Sequence, residues 1–306
     1  MRAALSGEND PAGLRVSLKP PALLLNNLRA KAGMDKQIFR TSDGIDIAYY
    51  IDDFTDPWTT AEPLLMLHPA MSSSKRYFSM VPGLARRFRV IRVDTRGHGA
   101  SQIPAANLPV NKERLTLDAC ELLDHLKLSK VHLLGASAGG YVAQQLAIHH
   151  PQRVRSLILF CSTPGFKGEQ GKRWLADAAR RGMRAVFGET INDRLPVGEA
   201  EPGLINWVLD EICKNDLAFL ARFIGYWTDT DFMDEIHAIR CPTLIVAPGA
   251  EPIGSLSLYT DMIKRIKGAE LVVYENARHN IYDYLPDRCV AEVLGFHAGR
   301  LREASA

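Results

Sequence analysis

The feature of the sequence that most restricts its fold is the run from Val131 to Ile148, VHLLGASAGGYVAQQLAI. Val131 to Leu134 have the character of a buried strand and pass directly into Gly135-Ala136-Ser137-Ala138-Gly139-Gly140. Tyr141, Val142, Leu146 and Ile148 then recur at helical spacing. A strand, a sharp turn and a helix in so short a run force the central serine into a strained backbone conformation, and only small neighbours leave room for it. The pattern is G-x-S-x-G, the nucleophile elbow, in which the strain exposes the serine hydroxyl. A dinucleotide-binding turn has a similar outline but requires G-x-G-x-x-G, and position 137 carries serine where the second glycine must admit a pyrophosphate.

The chain around the elbow alternates strand and helix. Leu64 to Leu67 are apolar at every position, as a strand covered on both faces is, and further strand-like runs follow at Val90 to Val93, Arg155 to Phe160, Thr243 to Ala247 and Glu270 to Tyr274. Alternating residues on either side of Ser42-Asp43-Gly44 predict an antiparallel hairpin. Apolar spacing predicts helices from Ser72-Ser74 to about Ala85, from Glu113 through Leu126, from Leu256 to Ile266, and after Pro286. This alternation marks a parallel, wound α/β sheet.

Two segments stand apart. Residues 164–238 hold no convincing strand but show helical spacing over Trp174 to Phe187, Leu204 to Ile212 and Leu217 to Tyr226, so they should form an ordered helical insertion rather than a connecting loop. Residues 1–33 read as a loosely held N-terminal arm, and their apolar knot at Pro21 to Leu25 could dock on the body or on a second copy as a homodimer. The core is then expected over 34–163 and 239–306.

Composition narrows the chemistry. Lys+Arg 37 against Asp+Glu 35 gives a net charge of +2, without the clustered basic charge that nucleic-acid binding needs. The five cysteines are scattered without a C-x-x-C spacing and read as reduced thiols. No stretch is long and apolar enough for a membrane span, so a cytoplasmic protein acting on small molecules is expected.

A serine hydroxyl needs a general base, and histidine is the natural candidate. His125, His132, His149, His150, His237 and His297 fall in helices or at element edges. His68 and His98 sit in turns after strands, where a structural role is expected. His279 lies in a polar loop after a short strand near the C-terminus and is the candidate base.

Four pieces together, His68-Pro69-Ala70-Met71, VIRVDTRGHGAS over 90–101, the elbow with its continuation to Leu159, and His279, resemble the α/β-hydrolase superfamily over about residues 37–300. Within it the chain is similar to 3-oxoadipate enol-lactonases and neighbouring carboxylesterases. The resemblance implies a mostly parallel eight-stranded sheet with helices on both faces and a helical cap over 164–238. It implies the chain order serine, acid, histidine, with Ser137 as nucleophile and His279 as base. Glu251 stands where relatives carry the acid, and Asp231, Asp234 and Asp261 are weaker substitutes. The oxyanion would be held by the Ala138 amide and, because Pro69 has no N–H, by that of Ala70, with Met71 the neighbouring alternative. Met71, Trp174, Trp207 and Trp227 are the expected pocket walls. The implied reaction is hydrolysis of a small hydrophobic ester or lactone, without metal or organic cofactor. Hydrolysis of a carbon-carbon bond by the same triad, or ligand binding without turnover, are the alternatives. Relatives that act as dehalogenases or epoxide hydrolases carry aspartate at the elbow, and serine at 137 argues against both.

Overall fold

Strand residues alternate their side chains between the two faces of a sheet, so an uninterrupted apolar run requires cover on both sides. The computed structural model, which describes residues 35–166 and 168–305, has that arrangement. Leu65, Leu67, Leu133, Leu157, Leu159 and Ile245 point into one hydrophobic layer, and Leu64, Met66, Leu134, Ile158, Phe160 and Leu244 into the other. The predicted arm over 1–33 lies outside the described residues.

The sheet has eight strands: β1 (Gln37–Arg40), β2 (Asp46–Asp52), β3 (Glu62–Leu67), β4 (Phe88–Val93), β5 (Val131–Ala136), β6 (Val154–Phe160), β7 (Thr243–Pro248) and β8 (Glu270–Tyr274). Their order is β1-β2-β4-β3-β5-β6-β7-β8. The hairpin strand β2 runs against β1 and β4, and every pairing from β4 to β8 is parallel. The chain steps from β3 to β4 on one side and returns to β5 on the other. That reversal opens a crevice beyond the carboxyl ends of β3 and β5, where open α/β sheets bind ligands.

Helices α1 (Val81–Leu84), α2 (Lys112–His125) and α3 (Ala138–His149) fill the early crossovers. Four helices, α4 (Gln170–Arg181), α5 (Met183–Glu189), α6 (Pro202–Cys213) and α7 (Leu217–Thr228), occupy the insertion between β6 and β7, and α8 (Leu256–Arg265), α9 (Ile281–Tyr284) and α10 (Pro286–Ser305) follow. Among the described residues no helix is long and apolar enough to cross a membrane.

Two predicted helices are broken. Instead of one helix to Ala85, a 3-10 turn over Ser74–Tyr77 precedes the short α1, because Pro82 has no N–H to continue the ladder and sits in the first turn of a new helix. The span from Trp174 to Phe187 divides at Gly182, whose φ of 87° ends α4 and starts α5.

Buried ions tie the loops to this frame. The guanidinium of Arg96, fully buried after β4, donates to Asp118 on α2 and to Asp43 in the hairpin turn, at 2.5 to 3.0 Å. Arg76 and Asp283 pair through two hydrogen bonds, with side chains 2% and 1% exposed, and so join the turn after β3 to α9. Asp283→Asn leaves the Arg76 charge without its counter-ion and is expected to cost about 3–5 kcal/mol, read as a lower urea midpoint at unchanged slope. A loss under about 1 kcal/mol would mean that the pair is not what anchors this corner.

Candidate active site

The elbow forms as its glycine spacing requires. Ser137, between β5 and α3, has φ 48° and ψ −120°, a conformation that non-glycine residues rarely adopt and that costs about 1–3 kcal/mol. The surrounding packing leaves no alternative. A Cβ at Gly135 would lie 2.6 Å from the Gly140 Cα, and one at Gly139 would lie 2.1 Å from the Leu67 carbonyl oxygen. The Ser137 amide donates to Phe160 O at 2.9 Å, and its own carbonyl accepts from Gly140 N and from Ser162 Oγ, both at 2.8 Å.

His279 reaches this serine from the loop after β8, with Nε2 3.0 Å from Ser137 Oγ. On the far side of the ring, Nδ1 lies 2.8 Å from Glu251 Oε2 and 3.0 Å from Oε1. The two loops are stitched together, since Gly249 N donates to Tyr274 O at 2.8 Å and Ala250 N to Ala277 O at 3.0 Å. Asp231, Asp234 and Asp261 make no such contact with His279. Asp234 faces Arg265 and Asp261 faces Lys264, both toward solvent.

The Glu251 side chain is fully buried. Burial pushes its carboxyl up, but the attraction and hydrogen bond of His279, with the amides of Ile253 (2.9 Å) and Gly254 (3.1 Å), outweigh that and hold it below the usual value. Tyr259 Oη, on α8, donates to Oε2 at 3.2 Å. Sequence reasoning missed Tyr259, because nothing in a helical tyrosine eight positions downstream marks it as a partner.

His68 and His98 take structural places. His68 Nδ1 donates to Pro69 O at 2.7 Å and Nε2 accepts from the Thr95 amide at 3.0 Å, so both nitrogens are occupied, and burial lowers its pKa to about 4. His98, lowered to about 3 by burial, packs edge-on against Phe219 and Phe223 of α7 at 5.3 and 4.8 Å. Neither carries charge at neutral pH.

Ser137 and His279 open into a shared cavity. Ala70, Met71 and Ala138 line it, and none of their amides is taken up by the turn and loop hydrogen bonds of the described residues. Met71 has φ 55°, so the stiff Pro69 is followed by a sharp bend. The outer wall comes from the insertion, with Phe166, Trp174, Phe223 and Trp227 among its residues. Trp207 does not line the cavity and corrects the expectation made for it. Ile212 is the residue of α6 that reaches the wall, and Val208 is buried one turn before it on the same face. Trp207, one position off that row, turns about 100° away and meets the exposed Phe78 edge-on at 5.2 Å.

Among the described residues Glu62, His132 and His297 bring potential metal-ligand atoms within 4.8 Å of one another. They lie at the opposite end of the sheet, where Glu62 begins β3. Glu62 already faces His132 at 3.2 Å and Arg155 at 3.5 Å, and His132 Nδ1 is bonded to Ser156 Oγ at 2.8 Å.

With this geometry in place, a family profile described as the α/β-hydrolase fold matches residues 62–190. The chain has the α/β-hydrolase fold. Esterases, an enol-lactonase and other hydrolases are among its relatives, and the chain is a hydrolase of the same fold. This hydrolase is 27% identical to 3-oxoadipate enol-lactonase 2 of Acinetobacter baylyi over 194 residues, 62% of this chain and 71% of that one. It is 28% identical to the pimeloyl-[acyl-carrier protein] methyl ester esterase of Aeromonas hydrophila over 228 residues, 71% of this chain and 87% of the other. Among solved structures, a hydrolase from Pseudomonas aeruginosa PA01 superposes with a TM-score of 0.76 at 28% identity, covering 86% of this hydrolase and 98% of that chain.

Proposed function

We propose that this chain is a serine hydrolase that opens an ester or lactone of a small, largely apolar molecule through an acyl-enzyme. The observation that carries the reading is the alignment of Ser137 Oγ, the two nitrogens of His279 and the Glu251 carboxylate, at 3.0 and 2.8 Å. In this reading Ser137 Oγ attacks the carbonyl carbon while its proton passes to His279 Nε2. Glu251 holds the imidazolium that forms through Nδ1. The Ala138 and Ala70 amides donate to the oxyanion. The leaving alcohol takes the proton from Nε2, and a water activated by the same nitrogen then releases the acid.

The inserted helices act as a cap in this reading. Trp174, Phe223, Ile224 and Trp227 present an apolar wall to the acyl or ring portion of the substrate. The ester and lactone chemistry named for the relatives supports the reaction class. The test is a fluorophosphonate probe followed by a panel of p-nitrophenyl esters and lactones. One probe per chain should attach at Ser137, p-nitrophenol should appear in a burst, and turnover should rise as the acyl group fills the cavity. An unlabelled Ser137 would favour a relative that binds without turnover, and a decline from the shortest acyl group onward would remove the proposed pocket.

A further inference from the structure

Four arginines are buried among the described residues: Arg76, Arg96, Arg114 and Arg194. Three of them hold a carboxylate, Arg76 that of Asp283, Arg96 those of Asp43 and Asp118, and Arg114 that of Asp118. Arg194 does not. It is 4% exposed and has no ion-pair partner among the described residues. A buried cation without a counter-ion is strongly unfavourable, and native chains seldom keep one unless something outside the chain neutralises it.

The surroundings of Arg194 say where that neutralising group would sit. Its guanidinium lies 4.7 Å from the centre of the Trp174 ring and 5.2 Å from that of Phe187, so two aromatic walls fix its plane. Nη1 donates to the carbonyl and hydroxyl oxygens of Thr190, both at 3.3 Å. Nε and Nη2 have no hydrogen-bond partner among the described residues. Arg76 uses the same edge, Nε with Nη2, to grip both oxygens of Asp283. The vacant edge of Arg194 is not sealed, because its nitrogens are absent from the buried atoms that lack a partner, and Arg194 lines the cavity that holds Ser137 and His279. The segment is also fixed to the site itself: His279 N donates to Asp193 O at 3.3 Å and Asn280 N to Arg194 O at 2.9 Å.

We infer that Arg194 is the anion-binding residue of the active-site pocket and that the ester or lactone cleaved here carries a carboxylate, held side-on by Nε–H and Nη2–H. A planar carboxylate matches that two-donor fork. A phosphate monoester, with two charges and three outer oxygens, would need more donors than this otherwise apolar wall provides. Burial lowers the Arg194 pKa only to about 10, so it remains a cation at neutral pH. The inference rests on the serine-hydrolase reading of the same pocket for the reaction, though not for the binding.

The experiment pairs two substrates of equal length, a mono-p-nitrophenyl ester of a linear dicarboxylic acid and the p-nitrophenyl ester of the matching monocarboxylic acid, with wild type, Arg194→Met and Arg194→Lys. Wild type should favour the anionic ester in kcat/KM by at least tenfold, and Arg194→Met should lower the anionic-to-neutral ratio about a hundredfold, mainly through KM. Arg194→Lys, which keeps the charge and loses the fork, should fall between them. A wild type indifferent to the carboxylate, or a ratio unchanged in Arg194→Met, overturns the inference. A second arm needs no turnover: adipate should quench wild-type tryptophan fluorescence through Trp174 and Trp227 and leave Arg194→Met unquenched. If neither ester turns over while adipate still binds in an Arg194-dependent way, the reaction reading fails and the anion site stands. Adipate that quenches neither protein removes the site.

Discussion

Ser137→Ala is expected to reduce kcat/KM for p-nitrophenyl esters by about 10⁵-fold, since removing the nucleophile of such a triad removes nearly all of its catalysis at once. The same change should leave the fold in place. Alanine keeps the Cβ that Gly135, Gly139 and Gly140 already accommodate, and what the hydroxyl gives up is its 3.0 Å contact with His279 Nε2. Loss of that bond is worth about 1 kcal/mol, and the strain at φ 48° is the same for either side chain, so the urea midpoint should barely move. The variant should also resist fluorophosphonate. Retention of a hundredth of the activity, with the probe still attached elsewhere, would place the nucleophile at another residue.

The parts of this arrangement that could be read in the sequence are those with local signatures. Gly135, Gly139 and Gly140 flank Ser137 within five positions because each meets a neighbour too close for a Cβ, and that crowding is what the G-x-S-x-G spacing encodes. The strands were equally visible, since burial on both faces leaves no polar residue to break the run at Leu64 to Leu67, and Val131 to Leu134 is interrupted by His132 alone, whose ring nitrogens meet Ser156 and Glu62. His279 and Glu251 came from chain order and loop position, and the distances now join them.

What stayed hidden depends on long separations or on the angle of a helix face. Arg76 and Asp283 are 207 positions apart, and nothing near either residue selects the other. Trp207 carries the same aromatic signal as Trp174 and Trp227, but one step around α6 takes it off the cavity. Arg194 looked like one charge among many in a turn rich in polar residues. Only the folded chain reveals it as the one buried arginine among the described residues that lacks a carboxylate.

Glu251→Gln should lower kcat by about 10⁴-fold, which is a larger effect than the loss of one hydrogen bond would give, and the reason lies in the tautomer. Oε1 accepts from the amides of Ile253 and Gly254, so the glutamine carbonyl must keep that position and its NH₂ must take the place of Oε2. There it donates to His279 Nδ1, which today lies 2.8 Å from a carboxylate oxygen. The ring proton is then forced onto Nε2, pointing at Ser137, and the base can no longer accept the serine proton. Glu251→Asp keeps the charge but falls one methylene short of a loop set back for glutamate, so a loss of about 10–100-fold is expected. Stability separates the charge from the tautomer. The Glu251 carboxyl is held below its ordinary 4.5 in the fold, so its contribution is present above pH 4.5 and fades as acid carries the pH through the lower folded value. Thermal melts of wild type and Glu251→Gln should therefore differ most near neutral pH and converge well below 4.5. A glutamine variant retaining a tenth of kcat would mean that His279 finds its orientation from some other group, and the assignment of Glu251 as its partner would be withdrawn.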